Sequence, residues 1–159
     1  MIMSFLPTFK VLEVNNLTGL RNGHILSNMK ADAATVSGKN YLENGIILGL
    51  NADGTVGNYT SSHKQAFVHY TEELLTFSSE LKHFAEPIVD GVVYPRCIAL
   101  YVGDTFTTNN YAGSITGDGY AKVVNGVLTL QAEATGANFK ATVSTLPDGS
   151  DAYEFLYIG

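Results

Sequence analysis

Few residues of this 159-residue chain have side chains suited to acid–base, nucleophilic or metal chemistry. The histidines are His24, His63, His69 and His83. His63 and His69 lie six residues apart, which is not the spacing of a His-Glu-x-x-His or related metal site. A hydrolytic triad would pair His69 with Ser78 or Ser79, but the sequence has no Gly-x-Ser-x-Gly turn to expose such a serine. We therefore predict that the protein is not an enzyme.

The loops rich in glycine and aspartate also lack the patterns of phosphate and metal sites. Residues 113–119 do not contain the Lys-Ser/Thr pair that ends a phosphate loop, and they lead into a predicted strand rather than a helix. The loop carboxylates that could bind Ca²⁺ are Asp104, Asp118, Asp148 and Asp151, and no Asp-x-Asp-x-Asp spacing occurs among them. The sequence therefore predicts neither a cofactor nor a metal site.

Charge is sparse along the whole chain. Charged residues make up 15% of the sequence, whereas average soluble chains have roughly 25%. Nine basic and fifteen acidic residues give a net charge of −6 without any Lys/Arg block, so the protein repels phosphate backbones and we expect no nucleic-acid partner. Charge-poor surfaces are typical of subunit interfaces. The composition therefore favours a protein that works in an assembly.

Cellular context is indicated by the single cysteine and by the start of the chain. Because Cys97 is the only cysteine, the chain cannot form an internal disulfide, which is typical of proteins made in a reducing cytoplasm. Cys97 lies in an apolar run, which predicts that it is buried. The first residues lack a basic start and a long apolar stretch, so we expect no secretory signal. No apolar run approaches the ~20 residues of a membrane span. We predict synthesis in a cytoplasm and no membrane partner.

Seven Asx-Gly pairs punctuate the sequence, and such pairs tolerate the positive φ of tight hairpin turns. Runs rich in β-branched and aromatic residues lie between them, which indicates a mainly β protein. The clearest hairpin joins residues 120–124 to 127–132 across Asn125-Gly126. A second joins residues 45–50 to 53–56, and its continuous apolar stretch at residues 46–48 predicts a central strand.

The last two predicted strands span residues 139–145 and 152–158. Along the final strand, Tyr153, Phe155 and Tyr157 point to one face, and Leu156 and Ile158 point to the other. Apolar residues on both faces predict that this strand is either central in its own sheet or covered by a neighbouring subunit.

The remaining segments are a helix and a polar N-terminal region. Apolar residues at spacings of three and four predict one amphipathic helix over residues 71–84. Residues 1–40 form either an extended arm or, at residues 8–14 and 24–28, edge strands of the same domain. We therefore predict an N-terminal region of arm and edge strands at 1–40 and a single β-rich domain at 41–159. The predicted fold is an antiparallel β-sandwich or small barrel with one helix and an extended N-terminal arm.

Four runs give the chain a family resemblance: NGIILGLN at 44–51, FVHYTEEL at 67–74, YPR at 94–96 and LYVGDTFTTN at 100–109. In these runs and in its layout the chain resembles capsid decoration, or head cement, proteins of tailed bacteriophages that infect Gram-positive bacteria. The resemblance implies a structural virion protein that binds the capsid exterior, ties capsomers together, has the major capsid protein as its partner and self-associates on the shell. No residue-level role comes with it.

An apolar group near the N-terminus offers a candidate contact site for that partner, namely Phe5, Leu6, Pro7 and Phe9. These residues either anchor the protein on a partner's edge strand or pack on their own domain. An alternative function is a carbohydrate-binding or host-recognition β-sandwich module, because the chain has nine tyrosines, although the absence of tryptophan removes the largest stacking surface.

Overall fold

The structure is a computed structural model that describes residues 9–71 and 85–159. Its thirteen strands are β1 Leu12–Asn16, β2 Ile25–Leu26, β3 Tyr41–Leu42, β4 Ile47–Leu50, β5 Val56–Asn58, β6 Ala66–His69, β7 Glu86–Pro87, β8 Cys97–Ala99, β9 Thr105–Thr108, β10 Gly119–Val124, β11 Val127–Gln131, β12 Phe139–Thr145 and β13 Asp151–Tyr157. Two short helices, α1 Thr18–Asn22 and α2 Ala33–Val36, lie between the first three strands. No helix of the described residues is long and apolar enough to cross a membrane.

The strands form two open antiparallel sheets and a small ribbon. The larger sheet has the order β1-β9-β13-β12-β10-β11, and the smaller has the order β2-β8-β6-β4-β5. Strands β3 and β7 pair separately, with Tyr41 opposite Pro87. The prediction of a mainly β, antiparallel fold is confirmed. Of the two predicted architectures, the arrangement is sandwich-like, since neither sheet closes into a barrel in the part of the chain described.

Two apolar cores hold these layers together. The first joins the large sheet, through residues such as Phe106, Phe139 and Phe155, to Ile47 and Val68 of the smaller sheet. The second lies on the other face of the smaller sheet, where Leu48, Phe67 and Cys97 pack with residues from α2 and β3. Alternate residues of β4, β6 and β8 thus enter different cores, as the period-two geometry of strands requires. Burial on both faces explains the continuous apolar runs of these strands.

Both predicted hairpins are present. Strands β10 and β11 meet with Val124 opposite Val127, and the turn residues Asn125 and Gly126 have φ values of 49° and 79°, as expected of a type I′ turn. Strand β4 lies between β6 and β5, so its predicted central position is confirmed.

The predicted strand at residues 53–56 was placed too early. The structure begins β5 at Val56, because the Asp53 carboxylate accepts a hydrogen bond from the Thr55 amide at 3.0 Å and holds the preceding residues in a turn. An aspartate that bonds the backbone two residues onward favours a turn over a strand. The hairpin loop is therefore longer than the Asp53-Gly54 pair alone indicates.

The final strand, β13, lies between β9 and β12, which confirms the first of the two explanations for its apolar faces. Tyr153, Phe155 and Tyr157 are buried in the first core, Leu156 is half-buried, and Ile158 is 42% exposed. The inner face of this strand is thus covered by its own domain, and the outer face is partly covered.

The N-terminal region divides between edge strands and short helices. Strands β1 and β2 are the outermost strands of the two sheets, so the described part of this region agrees with the edge-strand interpretation. The helices α1 and α2 were not predicted. Helix α2 is capped by Asp32, whose Oδ1 accepts from the Thr35 amide at 2.9 Å. The helix predicted over residues 71–84 lies, apart from Thr71, outside the described residues.

Candidate functional site

His69, the strongest catalytic candidate in the sequence, is the last residue of β6 and is completely buried. Its Nδ1 donates to the Arg96 carbonyl at 3.1 Å. Burial lowers the pKa of His69 to about 4, although the Arg96 and Leu42 carbonyls favour the protonated ring. Among the described residues no atom makes a well-aligned hydrogen bond with Nε2, despite the nearby Leu42 carbonyl. His69 is therefore a neutral core residue near pH 7.

This burial predicts acid sensitivity. The unfolded chain protonates His69 near its ordinary pKa of 6.5, whereas the folded protein does so only near 4, so the folded state loses stability as the pH falls through this window. We expect the free energy of unfolding to fall by roughly 2–3 kcal/mol more between pH 6.5 and 4 in the wild type than in His69→Gln. The measurement is urea unfolding at each pH. Equal pH dependence of the two proteins would contradict the prediction.

The single thiol is equally inaccessible. Cys97 is fully buried in β8, as its apolar surroundings in the sequence indicate, and its Sγ lies 3.5 Å from the Pro95 carbonyl oxygen. Burial raises the pKa of Cys97 to about 12. A thiol that stays protonated at neutral pH is a poor nucleophile and a poor metal ligand.

The loop aspartates bind the chain's own amides. Buried Asp104 accepts hydrogen bonds from the amides of Thr18 and Tyr101, at 3.1 and 3.0 Å, and so joins α1 to the loop before β9. Asp118 accepts from the Val143 amide at 2.8 Å. In the two described segments, no group of three or more His, Cys, Asp or Glu side chains is arranged to hold a metal ion. The Asp104 and Asp118 carboxylates thus hold loops against neighbouring parts of the fold by accepting backbone hydrogen bonds.

An exposed apolar area occurs on the β3–β7 ribbon. Phe9 packs edge-on against Tyr41, with ring centroids 5.1 Å apart and an angle of 65° between the rings. Tyr41 remains 41% exposed and faces Pro87, also exposed, across the ribbon. We call Phe9, Tyr41 and Pro87 the ribbon surface. It is the place where the chain leaves the described domain toward residues 1–8.

Of the four predicted contact residues, only Phe9 is described, and it contacts its own domain while staying half-buried. Phe5, Leu6 and Pro7 lie outside the described residues. Tyr41 was not identified from the sequence, because a two-residue strand gives no periodic signal.

The nine tyrosines bear on the alternative of glycan recognition. Tyr41 and Tyr94 are exposed, at 41% and 55%, whereas Tyr153 and Tyr157 are buried in the first core and the other five are partly covered. Much of the tyrosine content thus serves packing.

A row of hydrogen bonds that joins three side chains was also not predicted from the sequence. Nδ1 of His63 accepts from the Thr60 amide at 3.0 Å, so Nε2 carries the proton and donates to Asn51 Oδ1 at 3.0 Å. The Asn51 amide nitrogen then donates to Asp32 Oδ2 at 2.9 Å. The sequence signal for this arrangement is the glycine at position 49. A Cβ there would overlap the His63 imidazole, which lies over Gly49.

Comparison with known proteins adds no relative to this description. No protein-family model, no curated protein and no solved structure matches the chain.

Proposed function

We propose that this chain is a structural virion protein that binds the outer surface of a phage capsid and stabilises contacts between capsomers. Its principal partner is the major capsid protein, and its site of action is the capsid exterior after synthesis in the host cytoplasm. The observation that carries this proposal is the ribbon surface, where Phe9 and Tyr41 leave aromatic area exposed directly after residues 1–8. Exposed aromatic side chains are enriched where proteins bind one another.

The inert environments of the reactive residues support a structural role. His69 and Cys97 are buried, with pKa values moved in the directions that keep both neutral. A net charge of −6 suits a surface that faces away from packaged DNA. These features favour a scaffold over a catalyst or a nucleic-acid-binding protein.

The edge of the larger sheet supports self-association on the shell. Strand β1 is outermost, and in the described segments it pairs only with β9. An edge strand exposes backbone donors and acceptors that a strand of another chain can pair with. We infer that β1 or the preceding segment contributes such contacts, with Phe5, Leu6, Pro7 and Phe9 supplying apolar anchors.

The proposal is tested by binding to expanded capsids in a sedimentation assay. We expect deletion of residues 1–10, and separately Tyr41→Ser, to lower occupancy by about tenfold or more, because an aromatic anchor contributes roughly 2 kcal/mol to an interface. Val102→Ser is the matched control, since Val102 is 73% exposed in a different loop.

Circular dichroism must show that each variant remains folded. Folded truncation and Tyr41→Ser proteins that bind as the wild type does would overturn the anchor. Binding to a glycan array without binding to capsids would favour the carbohydrate-recognition alternative instead.

A further inference from the structure

A cleft of about 880 Å³ opens on the smaller sheet, and none of its lining residues belongs to the ribbon surface. Its walls come from β2, the end of β4, the loop before β6 and Phe67. Pockets of roughly 300–1,000 Å³ are the usual size for small organic ligands. The cleft is therefore large enough to hold one.

One wall of the cleft is polar and fixed in place. His63 is held between the Thr60 amide and Asn51, and its ring also stacks on Tyr59 with centroids 5.8 Å apart. The Gln65 amide nitrogen donates to the carbonyls of Ala66 and Leu100 at 2.8 and 2.7 Å. A wall with locked side chains needs little reordering when a ligand binds, which favours affinity.

The opposite part of the cleft is apolar. Leu50 is 43% exposed although it ends a strand whose other residues are buried, and Leu26, which also lines the cleft, is half-buried. Phe67 forms the base and contacts the His24 ring edge-on, with centroids 5.9 Å apart. An exposed leucine in a concave site is available to cover the apolar part of a ligand.

Two side chains that line the cleft, Lys64 and His24, can donate hydrogen bonds to a ligand. Within the described segments the Lys64 ammonium has no hydrogen bond or ion pair, and it lines the cleft with His24. Nδ1 of His24 lies 2.5 Å from the Tyr101 hydroxyl, so when that hydroxyl donates, Nε2–H of His24 is free to donate.

Negative charge is kept out of the cleft, since its lining contains no acidic residue. The Asp32 carboxylate lies behind the polar wall, where it accepts hydrogen bonds from Asn51 and Thr35, and the Asp53 carboxylate accepts from Thr55. The cleft therefore combines one positive charge with an apolar base in a protein whose net charge is −6.

We propose that this cleft binds a small monocarboxylate with an apolar body. The carboxylate accepts hydrogen bonds from the Lys64 ammonium and from His24 Nε2–H, and the body covers Leu26 and Leu50. Charge-assisted hydrogen bonds select the anion, and burial of apolar area selects an acid larger than acetate. This binding activity is separate from capsid docking and does not depend on it.

Benzoate is a suitable test ligand, followed by amide chemical shifts of the full chain at low ionic strength. We expect saturable shifts at residues 62–67, with benzamide and benzylamine binding at least about tenfold more weakly because neither offers an anion. Acetate, which lacks the apolar body, is expected to bind more weakly than benzoate as well. Equal binding of benzoate and benzamide, or no saturable binding of benzoate, would overturn the proposal.

Two matched lysine variants test whether the Lys64 ammonium is the positive charge that binds the carboxylate. Lys64→Gln is expected to weaken benzoate binding about tenfold and to leave benzamide binding unchanged. Lys140→Gln removes an exposed lysine of β12 in the other sheet and is expected to change neither. Both substitutions are at exposed positions, so folding is preserved. The same loss in both variants, or a loss in neither, would show that the cleft is not the site.

Discussion

Phe155→Ala is expected to lower the free energy of unfolding by about 3–5 kcal/mol, the usual cost of removing a buried phenylalanine ring. Phe155 is completely buried in the middle of β13, opposite Phe106 on one neighbouring strand and Ala141 on the other. Its ring lies 5.9 Å from that of Phe106 and 6.1 Å from that of Phe139. Since domains of this size are stable by about 5–15 kcal/mol, the loss is a large fraction of the total.

The matched control for this experiment is Leu156→Ala in the same strand. Leu156 points to the other side of the sheet and is only half-buried, so its truncation is expected to cost less than half as much. Urea unfolding measures both, and an unchanged m-value shows that the unfolded states are comparable. Similar losses in the two variants would contradict the placement of the first core between the two sheets.

Gly49→Ala is the second substitution with a large expected effect. The added methyl group would overlap Cγ, Cδ2 and Nδ1 of His63, so the ring must move away from both Thr60 and Asn51. Overpacking costs about 1–3 kcal/mol, and each lost hydrogen bond about 1 kcal/mol. We expect a total loss of about 2–4 kcal/mol in urea unfolding.

A double-mutant cycle with His63→Ala isolates the cause of that loss. Without the imidazole the new methyl group meets no ring, and alanine is slightly better than glycine inside a strand. Gly49→Ala is then expected to be nearly neutral, which gives a coupling energy of about 2 kcal/mol or more. Equal cost of Gly49→Ala in both backgrounds would show that the ring does not lie over Gly49.

Local chemistry explains which parts of the fold were predictable. The turn at Asn125-Gly126 demands positive φ at adjacent positions, and the residues that tolerate it can be read from the sequence. The alternation of buried and exposed residues along Phe139–Thr145 and Asp151–Tyr157 is likewise a property of each strand by itself. These hairpins depend on contacts between residues close in sequence.

Strand order and the short elements depend on distant contacts, which one sequence does not reveal. The residues that pair between β1 and β9 are about ninety positions apart in the chain, from Leu12 opposite Thr108 to Asn16 opposite Thr105. The ribbon of β3 and β7 has only two residues in each strand, too few for a periodic pattern. Tertiary packing, rather than propensity, positions such segments.

The candidate sites were less predictable than the fold. Phe9 was identified as an apolar residue near the N-terminus, but its contact with Tyr41 joins residues more than thirty positions apart. The cleft depends on Lys64 and His24, which are unremarkable in the sequence and line one cleft only in the folded chain. Their shared environment is created by the sheet.

The central proposal, that the chain is a capsid-bound virion protein, is tested most directly by quantitative mass spectrometry of purified virions. We expect the chain in a fixed ratio to the major capsid protein, and we expect surface proteolysis of intact particles to remove it before the capsid protein. Virions that lack the chain, or that retain it only inside the protease-protected shell, would contradict the account.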